Sequence, residues 1–221
     1  MNKIILAVFF LLLLLSACNL EDLIEETQDS EITAKQKLSE VLSKARDGFA
    51  SDAELTAIYG YNVNTNGKID LLKPDQNAFV YVVQSDSDQA NEFYIPVFGS
   101  SPVKSPINFS NMLSLVKDQT AKDILGTVFS KLATLHIEQA VSYDDSPAII
   151  EKMFQRSDVN DFRANNPLSK IDMLLIPSKS IDTTSVNNAA DWIVNLYGDS
   201  TSLVLWLHPG TTNGTVTKIS N

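Results

Sequence analysis

The first 18 residues place the strongest constraint on this chain. Lys3 precedes an uncharged apolar run over residues 4–15, and the small residues Ser16 and Ala17 lead into Cys18. This order is typical of a secretory signal, and the run is shorter than the roughly 20 residues that a membrane-spanning helix needs. Because Cys18 is the only cysteine, disulfides within the chain are excluded and the fold must depend on its apolar core.

Residues 15–18, Leu-Ser-Ala-Cys, resemble the lipobox of bacterial lipoproteins. In that family the cysteine sulfur carries diacylglycerol, the leader is cut before the cysteine, and the new amino group is acylated. The resemblance implies a signal peptide over residues 1–17 and a Cys18 lipidated with palmitate-type chains. Several acyl chains anchor a protein stably, so we expect a cell-envelope protein of the outer membrane, facing the periplasm or the surface. The alternative is an ordinary signal peptide followed by an incidental cysteine.

Residues 18–31 are predicted to form a lipidated, acidic tether. The segment after Cys18 contains no basic residue and has six acidic ones, namely Glu21, Asp22, Glu25, Glu26, Asp29 and Glu31. Such dense like charges repel one another and favour an extended, solvated chain. The tether is either a spacer alone or also an export signal, because it resembles the surface-export signal of Bacteroidetes-type lipoproteins. Asn19 replaces the Asp that the inner-membrane retention signal would require.

The overall charge restricts the partners of the chain. Its formal net charge is −10 at pH 7, which argues against nucleic acid because phosphates demand a basic surface. The same charge argues against peripheral binding to anionic lipid headgroups, which needs clusters of Lys and Arg. The membrane contact that we expect is therefore the N-terminal lipid.

Hydrophobic periodicity predicts a helix followed by strands in each half of the body. In the first half, Leu38, Val41, Leu42 and Ala45 have helical spacing, and strands are predicted at residues 55–63, 68–72, 78–84 and 92–98, before a loop at 100–106. A longer helical region is predicted at 112–140 and a short helix at 147–154. The second half then has predicted strands at 171–176, 192–197, 202–207 and 215–219.

We therefore predict an α+β fold made of two similar units, each a helix with a curled antiparallel sheet and a small core of its own. Residues 32–108 form the first unit, and residues 109–221 comprise a helical connection and the second unit. The repetition favours duplication of a unit of about 80 to 100 residues. The alternative is one continuous α+β domain.

This arrangement resembles the PepSY-like domains of bacterial exported proteins. The resemblance rests on residues 58–70 and Phe79-Val80-Tyr81 in the first half, and on Asp161-Phe162-Arg163, residues 191–197 and Gly214-Thr215-Val216 in the second. Members of the family are mostly regulatory or inhibitory binding modules. The resemblance thus implies a non-enzymatic role in binding an envelope protein or peptide. The long helical region is not part of the minimal PepSY-like unit.

Motifs for catalysis or metal binding are weak. Residues 62–70 place oxygen-bearing side chains as at the start of an EF-hand calcium loop. Loop positions 1, 3 and 5 are however neutral Asn (Asn62, Asn64 and Asn66), and Lys73 occupies the position of the bidentate carboxylate. We therefore predict a type I′ hairpin turn at Asn66-Gly67. His136 and His208 lack a nearby second ligand. We expect no catalytic residues, no metal and no cofactor.

Aromatic residues on the predicted strands are the remaining candidates for binding. Tyr81, Tyr94, Trp192 and Trp206 are predicted to contact the partner through an open sheet face or an edge strand. Two other classes of function stay open at this point. One is an envelope hydrolase whose active-site residues converge only in the fold, and the other is a structural spacer without a specific ligand.

Overall fold

The computed structural model describes residues 30–87, 91–104, 122–123, 126, 135–137, 141–180, 189–199, 201–207 and 216–218. The predictions for the leader, Cys18, most of the tether, most of residues 112–140 and His208 lie outside these residues. Residues 32–221 form one compact unit. No helix in the described part of the chain is both long enough and apolar enough to cross a membrane.

The described residues form three helices, a 3₁₀ turn and ten strands. The helices are α1 (Leu38–Gly48), α2 (Ser146–Phe154) and α3 (Ser157–Asn165), with a 3₁₀ turn at Ser178–Ser180. The strands are β1 (Glu31–Ile32), β2 (Glu54–Tyr61), β3 (Ile69–Asp70), β4 (Ala78–Gln84), β5 (Asn91–Val97), β6 (Ser100–Lys104), β7 (Lys170–Pro177), β8 (Ala190–Tyr197), β9 (Ser202–Leu207) and β10 (Val216–Lys218).

Eight of these strands form one antiparallel sheet in the order β10-β9-β8-β7-β2-β4-β5-β6. The first half contributes β2, β4, β5 and β6, and the second half contributes β7 to β10. The halves meet where β2 pairs with β7, with Tyr59 opposite Leu174. β1 and β3 form a separate two-stranded sheet. The α+β class with a large antiparallel sheet is therefore confirmed.

The helices pack on one face of the large sheet, which we call the helix-side face. The strand side chains on this face are buried together with apolar side chains of the helices. These helix residues are Val41 and Ala45 of α1, Ile149, Ile150 and Met153 of α2, and Val159 of α3. These strand residues come from both halves and belong to one core, including Phe79, Tyr81, Val83, Met173, Leu175, Trp192, Val194, Leu203 and Leu205. The prediction of a separate core in each half is corrected, because the continuous sheet lets the halves bury their apolar side chains together.

The local predictions differ from the structure mainly where turns and edges are involved. β4 and β9 have the predicted bounds. The predicted loop at 100–106 contains β6, which pairs with β5 after a turn at Gly99 (φ +66°). The predicted type I′ turn is wrong because Gly67 (φ +77°) has a positive φ and Asn66 does not. Instead, Asn64 and Lys68 close a three-residue loop through a 2.9 Å N–H···O bond.

α2 begins at Ser146, one residue before the predicted start. The side chain of Asp145 caps it by accepting a hydrogen bond from the N–H of Ser146 at 2.8 Å, and Pro147 occupies the first turn. The predicted long helix does not continue through residues 135–137, where the N–H of Ile137 instead donates to the carbonyl of Leu55 at 2.7 Å. Lys122, Asp123 and Gly126 are helical.

Candidate functional site

Three of the four aromatic residues predicted to bind a partner are core residues. Tyr81 is fully buried and donates from its hydroxyl to the carbonyl of Ala34 at 2.8 Å. Trp192 is also fully buried, and its indole N–H donates to the carbonyl of Asp144 at 2.9 Å. Tyr94 is buried on the same helix-side face. The prediction that these three side chains contact a partner is therefore corrected: all three are buried, and the polar atoms of Tyr81 and Trp192 bond to the protein's own backbone.

Trp206 lies on the other face of the sheet, which we call the opposite face. Its side chain is half-buried, and its indole N–H donates to Oδ2 of Asp191 at 2.8 Å. Asp191 is fully buried and also accepts a 2.6 Å hydrogen bond from the Ser178 hydroxyl. A role for Trp206 in partner binding stays a prediction.

The opposite face is not the open aromatic surface that the sequence predicts. Its central side chains are buried, including Val80, Val82, Leu174, Ile176, Ile193 and Val204. At the sheet edge, Val103 of β6 is 52% exposed. The edge strand contains Pro102, which has no N–H to donate to an added strand. Within the described residues, neither the sheet face nor its β6 edge is an obvious platform for a partner.

A groove of about 650 Å³ lies beside α1 on the helix-side face. Its volume is within the range of ligand and peptide-side-chain pockets. The apolar part of the lining is supplied by α1, β2 and the segment after Leu135, namely Leu38, Leu42, Leu55, Ile137, Val141 and Tyr143. The polar part is Lys35, Ser39, Ser43, Arg46 and Asp47. The groove thus combines an apolar surface with a few polar groups that could fix the orientation of a bound segment.

The polar groups of the groove are held in place by the chain itself. The Lys35 ammonium donates to the carbonyl of Tyr143 and lies 4.0 Å from the centre of its ring. Arg46 donates from Nε to the carbonyl of Ala53 at 3.2 Å. Burial, with a smaller contribution from the charge of Asp145, raises the pKa of Tyr143 to about 12, so its phenol stays neutral at physiological pH. The two cations of the lining, Lys35 and Arg46, are therefore held by contacts within the chain, and Asp47 adds a carboxylate to the same lining.

The groove arises from two features of the local sequence. α1 is amphipathic, so Leu38 and Leu42 lie beside the core while Ser39 and Ser43 are exposed. The pairing of β2 with β4 shifts register between Leu55 and Ala57, and residues 135–137 pass beside this irregularity. The helical stripe was visible in the sequence. The approach of Ile137 was not, because it depends on a long-range backbone contact.

A second polar site lies on the opposite face, on β7 and its two neighbours β2 and β8. The Asp172 side chain is 4% exposed and accepts three hydrogen bonds. The donors are the Tyr59 hydroxyl at 2.9 Å, the N–H of Asn62 at 2.8 Å and the Tyr197 hydroxyl at 3.3 Å. We call this group, together with Tyr61 and Asn195, the Asp172 cluster. Desolvation raises the pKa of Asp172 to about 6 despite these hydrogen bonds.

No family model, curated protein or solved structure matches this chain. Its function is therefore inferred from its own residues.

The acidic groups of the opposite face do not form a pair of the kind that glycosidases use. Asp172 is opposite Asn195 across β7 and β8, whereas Asp191 is opposite Ile176. Four residues of strand separate the two positions, which corresponds to about 13 Å. Paired carboxylates in glycoside hydrolysis lie roughly 5 to 9.5 Å apart. The fold thus keeps these two acids in separate hydrogen-bonded groups.

His136 is also engaged with its neighbours. Its Nε2 lies 2.8 Å from Oε2 of Glu54, and its Nδ1 lies 3.3 Å from Nε2 of Gln84. Both partners are strand residues at the end of the β2–β4 pair. These contacts give His136 a structural role in joining residues 135–137 to the sheet.

Proposed function

We propose that this protein is a lipid-anchored, non-enzymatic component of the cell envelope that binds a protein or peptide partner in the groove beside α1. The observation that carries the binding proposal is the groove of about 650 Å³, with its apolar lining and its held polar groups. Apolar pockets with a few oriented polar groups are the usual sites for ligands and peptide side chains. The groove replaces the sheet face as the proposed contact surface.

The proposed localisation rests on the N-terminal sequence. Residues 1–17 have the features of a signal peptide, and residues 15–18 resemble a lipobox ending at Cys18. Lipid at Cys18 would anchor the body to the outer membrane, with the acidic tether of residues 18–31 between them. An anchored protein meets its partners within the envelope, so we propose an envelope protein or peptide as the partner.

The order of the elements supports the proposal of tandem PepSY-like units. Each half places helical structure before four antiparallel strands that follow one another in the sheet: α1 precedes β2, β4, β5 and β6, and α2 and α3 precede β7 to β10. Such repetition favours duplication of one unit. PepSY-like domains are mostly binding modules, and a binding role is what the resemblance implies here.

The alternatives have less support. A serine hydrolase would need an accessible nucleophile, but Ser178, which is bonded to Asp191, is fully buried. A spacer would need no preorganised groove. Two alternative hypotheses are therefore kept: a hydrolase whose residues converge elsewhere, and a structural spacer without a ligand. The following experiment tests binding in the groove.

The test is a comparison of partners recovered from the native envelope by the tethered protein and by two tryptophan variants. Ser43→Trp fills the groove from an exposed position on α1, and Lys44→Trp places the same side chain on an exposed position of α1 outside the groove lining. We expect quantitative mass spectrometry to identify a partner that is reduced at least tenfold by Ser43→Trp and retained by Lys44→Trp. Circular dichroism checks that both variants fold.

Two results would contradict the proposal. If the same partners are recovered equally with both variants, the groove is not the binding surface. If no partner is enriched over a control envelope protein with the same anchor, the hypothesis of a structural spacer is favoured.

A further inference from the structure

Asp172 and Asn195 lie directly opposite each other on β7 and β8. Side chains at directly opposed positions of an antiparallel pair have Cβ atoms about 4.5 to 5.5 Å apart. Asp172 is 4% exposed and Asn195 is 5% exposed. The two side chains are thus buried neighbours on the opposite face, beside the junction where β7 also pairs with β2.

The side-chain amide of Asn195 has no hydrogen-bond partner. Both Oδ1 and Nδ2 are buried and unpartnered. Buried polar atoms without a partner are rare in folded proteins, because their lost hydration is not replaced. An unpartnered acceptor directly across from a carboxyl group therefore requires an explanation, and the protonation state of Asp172 supplies one.

Asp172 accepts hydrogen bonds unequally at its two oxygens. Oδ1 accepts from the N–H of Asn62 and from Tyr197, whereas Oδ2 accepts only from Tyr59. Oδ2 is consequently the oxygen with more room for a proton. Among the described residues, no Lys, Arg or His lies within ion-pair distance of this carboxyl group.

The groups that face Asp172 leave its charge weakly compensated. Tyr59 and Tyr61 lie on β2, Tyr197 lies on β8, and Lys170 lies two residues away on β7 itself. Desolvation is the largest influence and raises the pKa of Asp172 to about 6, while the hydrogen bonds and the Lys170 charge lower it by less. The pKa values of Tyr59 and Tyr197 are raised by burial, so both phenols are neutral donors.

We propose that Asp172 takes up a proton from solvent in the folded protein and that its new carboxyl O–H donates a hydrogen bond to Oδ1 of Asn195. The proton adds to Oδ2, no covalent bond other than O–H is made, and release of the proton reverses the change. The bond joins β7 to β8 next to the β2–β7 junction. The Asp172 cluster is thus a proton-dependent contact within the sheet, independent of the groove beside α1.

The test is a pH titration of the full chain by nuclear magnetic resonance between pH 4 and pH 8. It follows the Cγ shift of Asp172 and the side-chain NH₂ shifts of Asn195. We expect both to change with one midpoint near pH 6. Asn195→Leu removes the acceptor while keeping the same number of side-chain heavy atoms, and should lower the proton affinity of Asp172 about three- to tenfold, which moves its midpoint toward lower pH.

Asn91→Leu is the matched control. Asn91 is another strand asparagine with an unpartnered amide oxygen, but it lies on β5, which does not pair with β7. The control should leave the Asp172 midpoint unchanged. The proposal is overturned if the Asn195 NH₂ shifts do not follow Asp172, as when a buried water alone satisfies the amide, or if Asn195→Leu leaves the midpoint unchanged or raises it. Should Asn195→Leu fail to fold, the joint titration in the unmodified chain decides.

Discussion

The hydrogen-bond donors of Asp172, a polar residue within a strand, depend on the register of the neighbouring strands. Asp172 interrupts the apolar run of β7, between Ile171 and Met173, and this interruption was visible in the sequence. The identity of its donors was not visible, because Tyr59 is more than a hundred positions away and Tyr197 faces it only in the β7–β8 register. The same limit applied to the aromatic residues: alternation predicted their strands but not which face the helices cover.

The buried carboxyl group should make stability depend on pH. Its pKa is raised from 3.8 to about 6, so the fold favours the neutral form. The stability that this preference contributes is fully present below pH 3.8 and is lost as the pH rises through 6, by about 3 kcal/mol in total. We expect the free energy of unfolding of the unmodified chain, relative to Asp172→Asn, to fall by roughly this amount between pH 4 and pH 7.

Urea denaturation at pH 4, 5.5 and 7 measures this difference. Asp86→Asn, at an exposed turn position, is the control for removing a carboxylate from the surface. A difference between Asp172→Asn and the unmodified chain that stays the same at all three pH values would show that burial does not shift the titration of Asp172.

At the scale of elements, predictions from periodicity succeeded where apolar residues alternate over a full strand. β4 and β9 are such strands, and their bounds agree with the structure. β6 was missed because Ser100, Ser101 and Pro102 have the composition of a loop, while pairing with β5 on one side is enough to make them a strand. α3 was missed as well, because it buries only Val159 and so lacks a helical apolar stripe.

The start of α2 can be tested by removing its cap. The Asp145 carboxylate accepts from the N–H groups of Ser146 (2.8 Å) and Lys35 (3.1 Å). Asp145→Ala leaves both donors without this partner and should lower the free energy of unfolding by about 1 to 2 kcal/mol. The neighbouring Asp144→Ala removes only an exposed ion pair with Lys152 and should cost less than about 1 kcal/mol. Thermal or urea denaturation of both variants checks the order, and equal losses would mean that the cap contributes little.

At the scale of the whole molecule, the sequence predicted the class of the fold but not its assembly. Two similar halves were predicted from a repeated order of helix and strands. Their union was not, because it depends on β2 and β7, two strands that look alike whether they are paired with each other or exposed as edges. The shared core follows from that pairing rather than from any local pattern.

The proposed lipid anchor belongs to this scale as well. Labelling with a palmitate analogue, followed by membrane fractionation, should place the label on the unmodified protein and leave it in the membrane fraction. Cys18→Ser removes the sulfur that the lipobox resemblance assigns to lipid, so we expect this variant to lose the label and to leave the membrane. Ser16→Thr, which keeps the cysteine, controls for changes in the leader. Label retained by Cys18→Ser would contradict the lipoprotein assignment.

The pairing of β2 with β7 has a consequence for how the chain matures. β2 occupies the middle of the finished sheet, yet Leu174, which pairs with its Tyr59, follows more than a hundred residues later. Until that later segment has been synthesised, one side of β2 has no strand with which to exchange backbone hydrogen bonds. Unpaired strands of this kind invite aggregation, and contacts this distant along the chain form slowly. A newly made copy is therefore most exposed to aggregation with its neighbours in the interval between the appearance of its first and last strands.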